Sequence, residues 1–173
     1  YYWFRVKKEA QIIVKEQNYE KGTSHIESKF KNIEKPNPKM IFDLANFYKN
    51  SKNYELAIYY YSRLISSLED TSVIKSDILY RRGGSYERLG NYEKSDEDLL
   101  HALRIRPDDA YVLNYLAYSW LERDYKIDEA MEMLKKAYAL RSNDPYITDS
   151  IGWAYYLIEN YIEAEKYLKK AVE

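Results

Sequence analysis

A tyrosine recurs behind a short polar break in this chain: QNY at 17–19, KNY at 52–54, GNY at 90–92 and ENY at 159–161. The intervals between these tyrosines are 35, 38 and 69 residues. The long interval holds one further unit, RDYKIDEA at 123–130, with one residue extra in its break. Self-similarity at such a period marks stacked supersecondary units, none of which buries its apolar face alone. Ala57, Ser95, Ala130 and Ala164 fall in equivalent places after the breaks, and Gly22 fills that place in the first unit.

Upstream of each break runs another helical pattern with a small residue inside it: Ala10, Ala45, Gly83, Ala117 and Gly152. A large residue follows three positions on: Ile13, Tyr48, Tyr86, Trp120 and Tyr155. Two antiparallel helices joined by a tight turn approach closely only where one backbone lacks bulk, and the large residue then closes the gap beside the contact. Apolar residues recur at helical spacing, as in Ile151, Ala154, Tyr155 and Ile158. Pro107 and Pro145 stand between units, where proline ends one helix or opens the next. The packing residues expected from this register are Ala45, Ala57, Gly83, Ala117, Ala130, Gly152 and Ala164.

On these residues the chain resembles the tetratricopeptide repeat family. Leu79 to Pro107 (LYRRGGSYERLGNYEKSDEDLLHALRIRP) and Pro145 to Val172 (PYITDSIGWAYYLIENYIEAEKYLKKAV) carry the resemblance best. It implies an all-α fold, a right-handed α-solenoid of about five antiparallel helix pairs forming one superhelical array over 1–173. The units would run 3–36, 38–71, 76–109, 110–144 and 145–173. The first departs most from the pattern, with Gly22 in place of Ala. Arg82 stands where the family usually has Leu, which leaves open looser packing of the third unit or a guanidinium that snorkels to the surface.

The three glycines of RRGGSYERLGNYE (81–93) suggest a phosphate loop, but that reading needs a preceding strand and a GxxxxGK[ST] or GxGxxG spacing, and neither occurs. Gly83 is instead expected between helices and Gly90 in the turn. His25 and His101 lack a second histidine or carboxylate at zinc-ligand spacing, so no metal site is predicted. Asp96, Glu97 and Asp98 are consecutive, splay around one helix, and read as a solvated face. Thr148 or Asp149 is expected to serve a helix N-terminus. With no GxSxG and no cysteine, no enzyme activity and no cofactor is expected.

Sites on solenoids are made by the surface that the first helices line. The expected partner-binding groove comprises Phe42, Asn46, Lys49, Tyr80, Arg81, Tyr111, Asn114, Tyr118, Asp149, Trp153 and Tyr156. Tyr and Trp grip a peptide at low side-chain entropy cost. Arg81 and Arg82, with Lys39 and Lys49 on another first helix, offer charge for a peptide carboxylate. The complete Lys/Asn/Arg pattern that some family members use for C-terminal carboxylates is absent, so a chaperone tail is not the expected ligand.

The function expected is a non-enzymatic scaffold holding a peptide or helix segment of a protein partner in this groove. The alternative is a structural solenoid that self-associates or packs on the rest of its own chain, as in a bacterial envelope assembly factor. The chain opens without Met and reads as a fragment of a longer protein, and the far side of 161–172 is expected to be open. A net charge of −1 argues against nucleic acid as partner. No apolar run approaches a membrane span. The run NYLAYSWLERDYKIDEAMEMLKKAYAL followed by DSIGWAYYLIENYIEAEKYLKKAVE resembles adjacent repeats of bacterial members of the family, which implies a bacterial source, with cytoplasm, periplasm and envelope all left open.

Overall fold

The computed structural model describes residues 1–172. All regular structure in them is helical, and the chain forms two compact units, Tyr1–Asp98 and Leu99 onward. The first unit holds α1 (Tyr2–Glu16), α2 (Tyr19–Phe30), α3 (Pro38–Asn50), α4 (Tyr54–Ile65) and α5 (Val73–Arg88). The division falls inside α6 (Tyr92–Ile105). The second unit continues with α7 (Ala110–Glu122), α8 (Ile127–Leu140), α9 (Pro145–Leu157) and α10 (Tyr161–Val172). Within the units α1 packs on α2, α3 on α4, α7 on α8 and α9 on α10. No described helix is long and apolar enough to cross a membrane.

The recurring break has a local physical cause. In KNY, GNY and ENY the asparagine caps the helix that the tyrosine begins. Asn53, Asn91 and Asn160 each accept, through Oδ1, the backbone N–H three residues on, at 3.3 Å. Asn18 does the same for Lys21 at 2.9 Å. The residue before the cap is left-handed in three breaks: Lys52 (φ 63°), Gly90 (φ 73°) and Glu159 (φ 61°). This turn sends the N–H of the following asparagine back to the carbonyl of Tyr48, Tyr86 or Tyr155, at 2.9 Å in each case. In these three breaks the tyrosine that follows the small residue therefore also supplies the carbonyl that closes the helix. In the irregular break Tyr125 N–H returns to Trp120 in the same way. The extra residue there, Lys126, is itself left-handed (φ 46°) and makes no side-chain cap. Between repeats the caps are Asn37, Asp109 and Asp144, with Pro38 and Pro145 in the first helical turn of α3 and α9.

The small residues lie inside. Ala45, Ala57, Ala117, Ala130, Gly83, Gly152 and Ala164 are all buried. At Gly152 a Cβ would stand 2.9 Å from Leu168 Cγ and 3.1 Å from the Leu168 amide nitrogen. The core of the first unit runs through Leu44, Tyr48, Tyr61 and Ile78, with Trp3, Phe30 and Tyr60 in edge-to-face contact. Tyr48 stacks flat on Tyr60 with centroids 5.6 Å apart. The second unit is filled by aliphatic side chains, among them Leu116, Leu134, Ile147 and Ile151.

Four sequence expectations change on contact with the structure. Gly22 is not a weakness of the first unit: a Cβ there would collide with Val14 Cγ2 and lie 2.9 Å from the Ala10 carbonyl oxygen. Asp98 does not belong to a solvated face. It is 4% exposed and receives a two-pronged contact from Arg82, Nε to Oδ2 at 2.7 Å and Nη2 to Oδ1 at 2.6 Å. Arg82 therefore neither loosens the unit nor snorkels out, because a buried carboxylate of the neighbouring helix holds it, with Ser62 Oγ at 2.9 Å. Finally, Asp144 rather than Thr148 or Asp149 caps α9, accepting from Tyr146 N and Ile147 N. Thr148 instead donates its hydroxyl to the Asp144 carbonyl at 2.8 Å.

Candidate protein-binding faces

In the first unit Phe42, Asn46 and Lys49 recur at helical spacing along α3, and Arg81 comes to them from α5. The Arg81 guanidinium lies 5.3 Å from the Phe42 ring centroid, and its Nη1 is 3.5 Å from Asn46 Oδ1. Asn46 Oδ1 also accepts from the Tyr61 hydroxyl at 2.7 Å. Tyr61 is wholly buried, and that burial pushes its phenol pKa up. Arg81 Nε is 3.6 Å from Asp77 Oδ2, too long for a hydrogen bond, so this buried N–H is unsatisfied. Lys49 is half-buried, and its pKa is lowered first by desolvation and then by the charge of Arg81. The structure thus brings Phe42, Asn46 and Arg81 into contact and sets a second cation beside them. Tyr80 is half-buried on α5.

The second unit presents a different face. Tyr111, Asn114 and Tyr118 lie along α7, and Asp149, Trp153 and Tyr156 along α9. The two helices touch. Trp153 stacks on Tyr156 with centroids 5.2 Å apart and planes 18° from parallel. Its indole N–H donates to Glu122 Oε1 at 2.9 Å, which ties α9 to the end of α7. Tyr156 is 48% exposed and Tyr118 38%. The Tyr118 phenol pKa is raised first by burial, then by the charge of Glu122 and a hydrogen bond to it, and by Asp149. Tyr118, Glu122, Asp149, Trp153 and Tyr156 therefore share one neighbourhood.

Tyr111 stands apart from that group. Its hydroxyl donates to Asp144 Oδ2 at 2.9 Å and Arg141 covers its ring at 5.1 Å. The hydrogen bond to Asp144 is the main cause of its raised pKa. Asn114 is half-buried, and its Oδ1 accepts no hydrogen bond. Sequence reasoning missed Glu122, the residue that fixes Trp153. Its helical position four residues after Tyr118 was the signal available.

A family model described as a tetratricopeptide repeat matches residues 38–67, 76–109 and 150–173, about half of the chain. The chain belongs to the tetratricopeptide repeat family, and its fold is the all-α solenoid of a non-catalytic scaffold family. Over 97 residues it is 34% identical to a TPR repeat-containing protein of Pseudomonas aeruginosa, a match covering 56% of this chain and 16% of that protein. Over 85 residues it is 39% identical to a TPR repeat-containing protein of Methanocaldococcus jannaschii, covering 49% of this chain and 14% of that one. The matches thus take in about a seventh of these relatives' length. The structure of MamA residues 41 to the end from Desulfovibrio magneticus RS-1 superposes with a TM-score of 0.73 at 16% identity, covering 98% of this chain and 93% of that one. This likeness speaks for the fold. In general terms the chain is a protein-interaction scaffold.

Proposed function

We propose that the first-helix face is where this scaffold holds a peptide or helix segment of a partner protein, and that the second unit supplies the principal anchors. The observation that carries this reading is the stack of half-buried Trp153 on exposed Tyr156 beside exposed Tyr118, with Trp153 fixed in place by its hydrogen bond to Glu122. Exposed, preorganised aromatic surface lowers the cost of binding, because little side-chain freedom is left to lose. In the first unit the proposed face comprises Phe42, Asn46, Lys49, Tyr80 and Arg81, and in the second it includes Tyr111, Asn114 and Asp149 as well as the aromatic anchors. The proposal includes one array of five units belonging to a longer protein, and a bacterial source fits the Pseudomonas relative.

The test is capture from a lysate with the wild-type chain and with Tyr118→Ala/Trp153→Ala/Tyr156→Ala, both verified helical by circular dichroism. A protein retained by the first and lost by the second supports the reading. Retention by both overturns it. A second reading, self-association, is favoured by one feature of α10. Tyr156, Tyr161, Ala164, Leu168 and Val172 line an open depression of about 540 Å³, and Ile162 nearby is 82% exposed. Concentration-dependent light scattering abolished by Ile162→Asp would favour that reading.

A further inference from the structure

Charge on the second unit's face narrows what it can hold, granted the reading of that face as a docking surface, on which this inference rests. Glu122 places a carboxylate against the edge of the Trp153 ring, with the flat faces of Trp153 and Tyr156 stacked alongside. Asp149 lies one helical turn before Trp153 on α9, is exposed, and makes no ion pair among the described residues. Both carboxylates act on the Tyr118 phenol, so they share its surroundings. The lysines nearest in sequence to this face on α10 are already occupied. Lys169, beside Tyr156 in the α10 depression, pairs with Glu165 at 2.5 Å, and Lys166 pairs with Glu163 at 2.9 Å. What remains is a set of aromatic rings flanked by two carboxylates that make no ion pair among the described residues, while Lys126, four residues after Glu122, lies over the Trp120 and Tyr125 rings. Aromatic faces attract cations through the ring quadrupole, and the carboxylates add to that attraction while repelling an acidic ligand.

We propose that this face binds a basic segment of a partner protein, seating an arginine or lysine side chain over the Trp153–Tyr156 stack with Glu122 and Asp149 as its counter-charges.

The experiment is a fluorescence-anisotropy titration of the chain with a labelled Arg-Gly repeat peptide, and with the same peptide carrying Gln or Glu in place of Arg. The Arg peptide is expected to bind at least about tenfold more tightly than either substitute, with affinity falling as salt rises. Glu122→Gln/Asp149→Asn is expected to weaken it about tenfold. Gln at 122 keeps an acceptor for the Trp153 N–H, so helicity and stability stay as in the wild type. Asp108→Asn/Glu132→Gln removes as much charge elsewhere in the second unit and is expected to leave the affinity alone. Equal loss in that control would make the attraction diffuse and overturn the inference, as would equal binding of the Gln peptide or no binding of the Arg peptide. These failures differ from failure of the docking reading itself. That reading fails only if a captured partner survives the triple aromatic substitution.

Discussion

The two units bury polarity differently. In the first, Asp43 is 8% exposed and receives the Trp3 indole N–H and the Lys7 ammonium, each at 3.1 Å. Asp98 holds the Arg82 fork, and buried Lys75 reaches the Leu68 carbonyl and Asp70. In the second, the buried polar side chains among the described residues are Ser119, Thr148 and Ser150. Thr148 and Ser150 donate to carbonyls four residues back. One framework of small residues, aromatics and capped turns therefore accepts two fillings. A charged filling must be paired, since an isolated buried charge is prohibitively costly, whereas hydroxyls satisfy themselves along their own helix. The outer faces contrast as well. Arg81 and Lys49 make the first unit's face cationic, and Glu122 and Asp149 make the second unit's face acidic among its aromatic rings.

The comparison breaks most sharply at Asp98. Asp98→Ala leaves Arg82 buried without its counter-charge and should cost about 3–5 kcal/mol in urea unfolding followed by circular dichroism. Arg82→Leu/Asp98→Ala should recover most of that, because an apolar pair suits the site once both charges are gone. A small loss from Asp98→Ala alone would mean that Arg82 swings into solvent, and the two units would then differ less than their burial suggests.

In the second unit, Gly152→Leu should cost about 1–3 kcal/mol or more, since Leu168 and its backbone leave no room. Gly22→Ala tests the same close approach in the first unit, against Val14 and the Ala10 carbonyl, and should fall in the same range of about 1–3 kcal/mol. An unchanged melting temperature in either variant would refute the helix register there. Trp153→Ala should weaken partner binding by about 2 kcal/mol while costing less than that in stability. The reverse ordering, measured by titration and melting, would make Trp153 a packing residue.

Two smaller effects sharpen the contrast. Lys52→Gly and Glu159→Gly relieve left-handed residues, one in each unit, and should each stabilise by about 0.5–1 kcal/mol in thermal melts. Lys49→Met removes a partly desolvated cation beside Arg81 and should stabilise by about 0.5 kcal/mol at neutral pH, a figure kept small because water screens the ammonium. The folded pKa of Lys49 lies below its ordinary value of 10.5, so wild-type stability rises with pH between the folded value and 10.5. The advantage of Lys49→Met should fade over that same window. An advantage that stays constant with pH would show that charge is not its cause.

Much of the architecture was legible because its determinants are local. Cap, left-handed residue and closing carbonyl all lie within six residues of one another, so a break such as GNY carries its turn wherever it occurs. The small residue and the aromatic three places on belong to one helical turn, and their period announces the pairing. The irregular break at 123–130 was visible as an insertion, although its solution, a left-handed Lys126, was not. The candidate face was legible only in part. Helical spacing grouped Phe42 with Asn46 and Trp153 with Tyr156, but Glu122 was marked only by its place four residues after Tyr118, and its contact with Trp153 comes from another helix.

What the sequence determined by itself is the succession of capped helices and the close approach within each pair, since both follow from residues a few places apart. The tertiary structure alone decided which charges are buried and which aromatics are held. Asp98 looked like its acidic neighbours until Arg82, 16 residues away, was brought against it, and Asp43 meets Trp3 across 40 residues. Pairings at such separations depend on the angle at which helices cross, which no stretch of a few residues encodes.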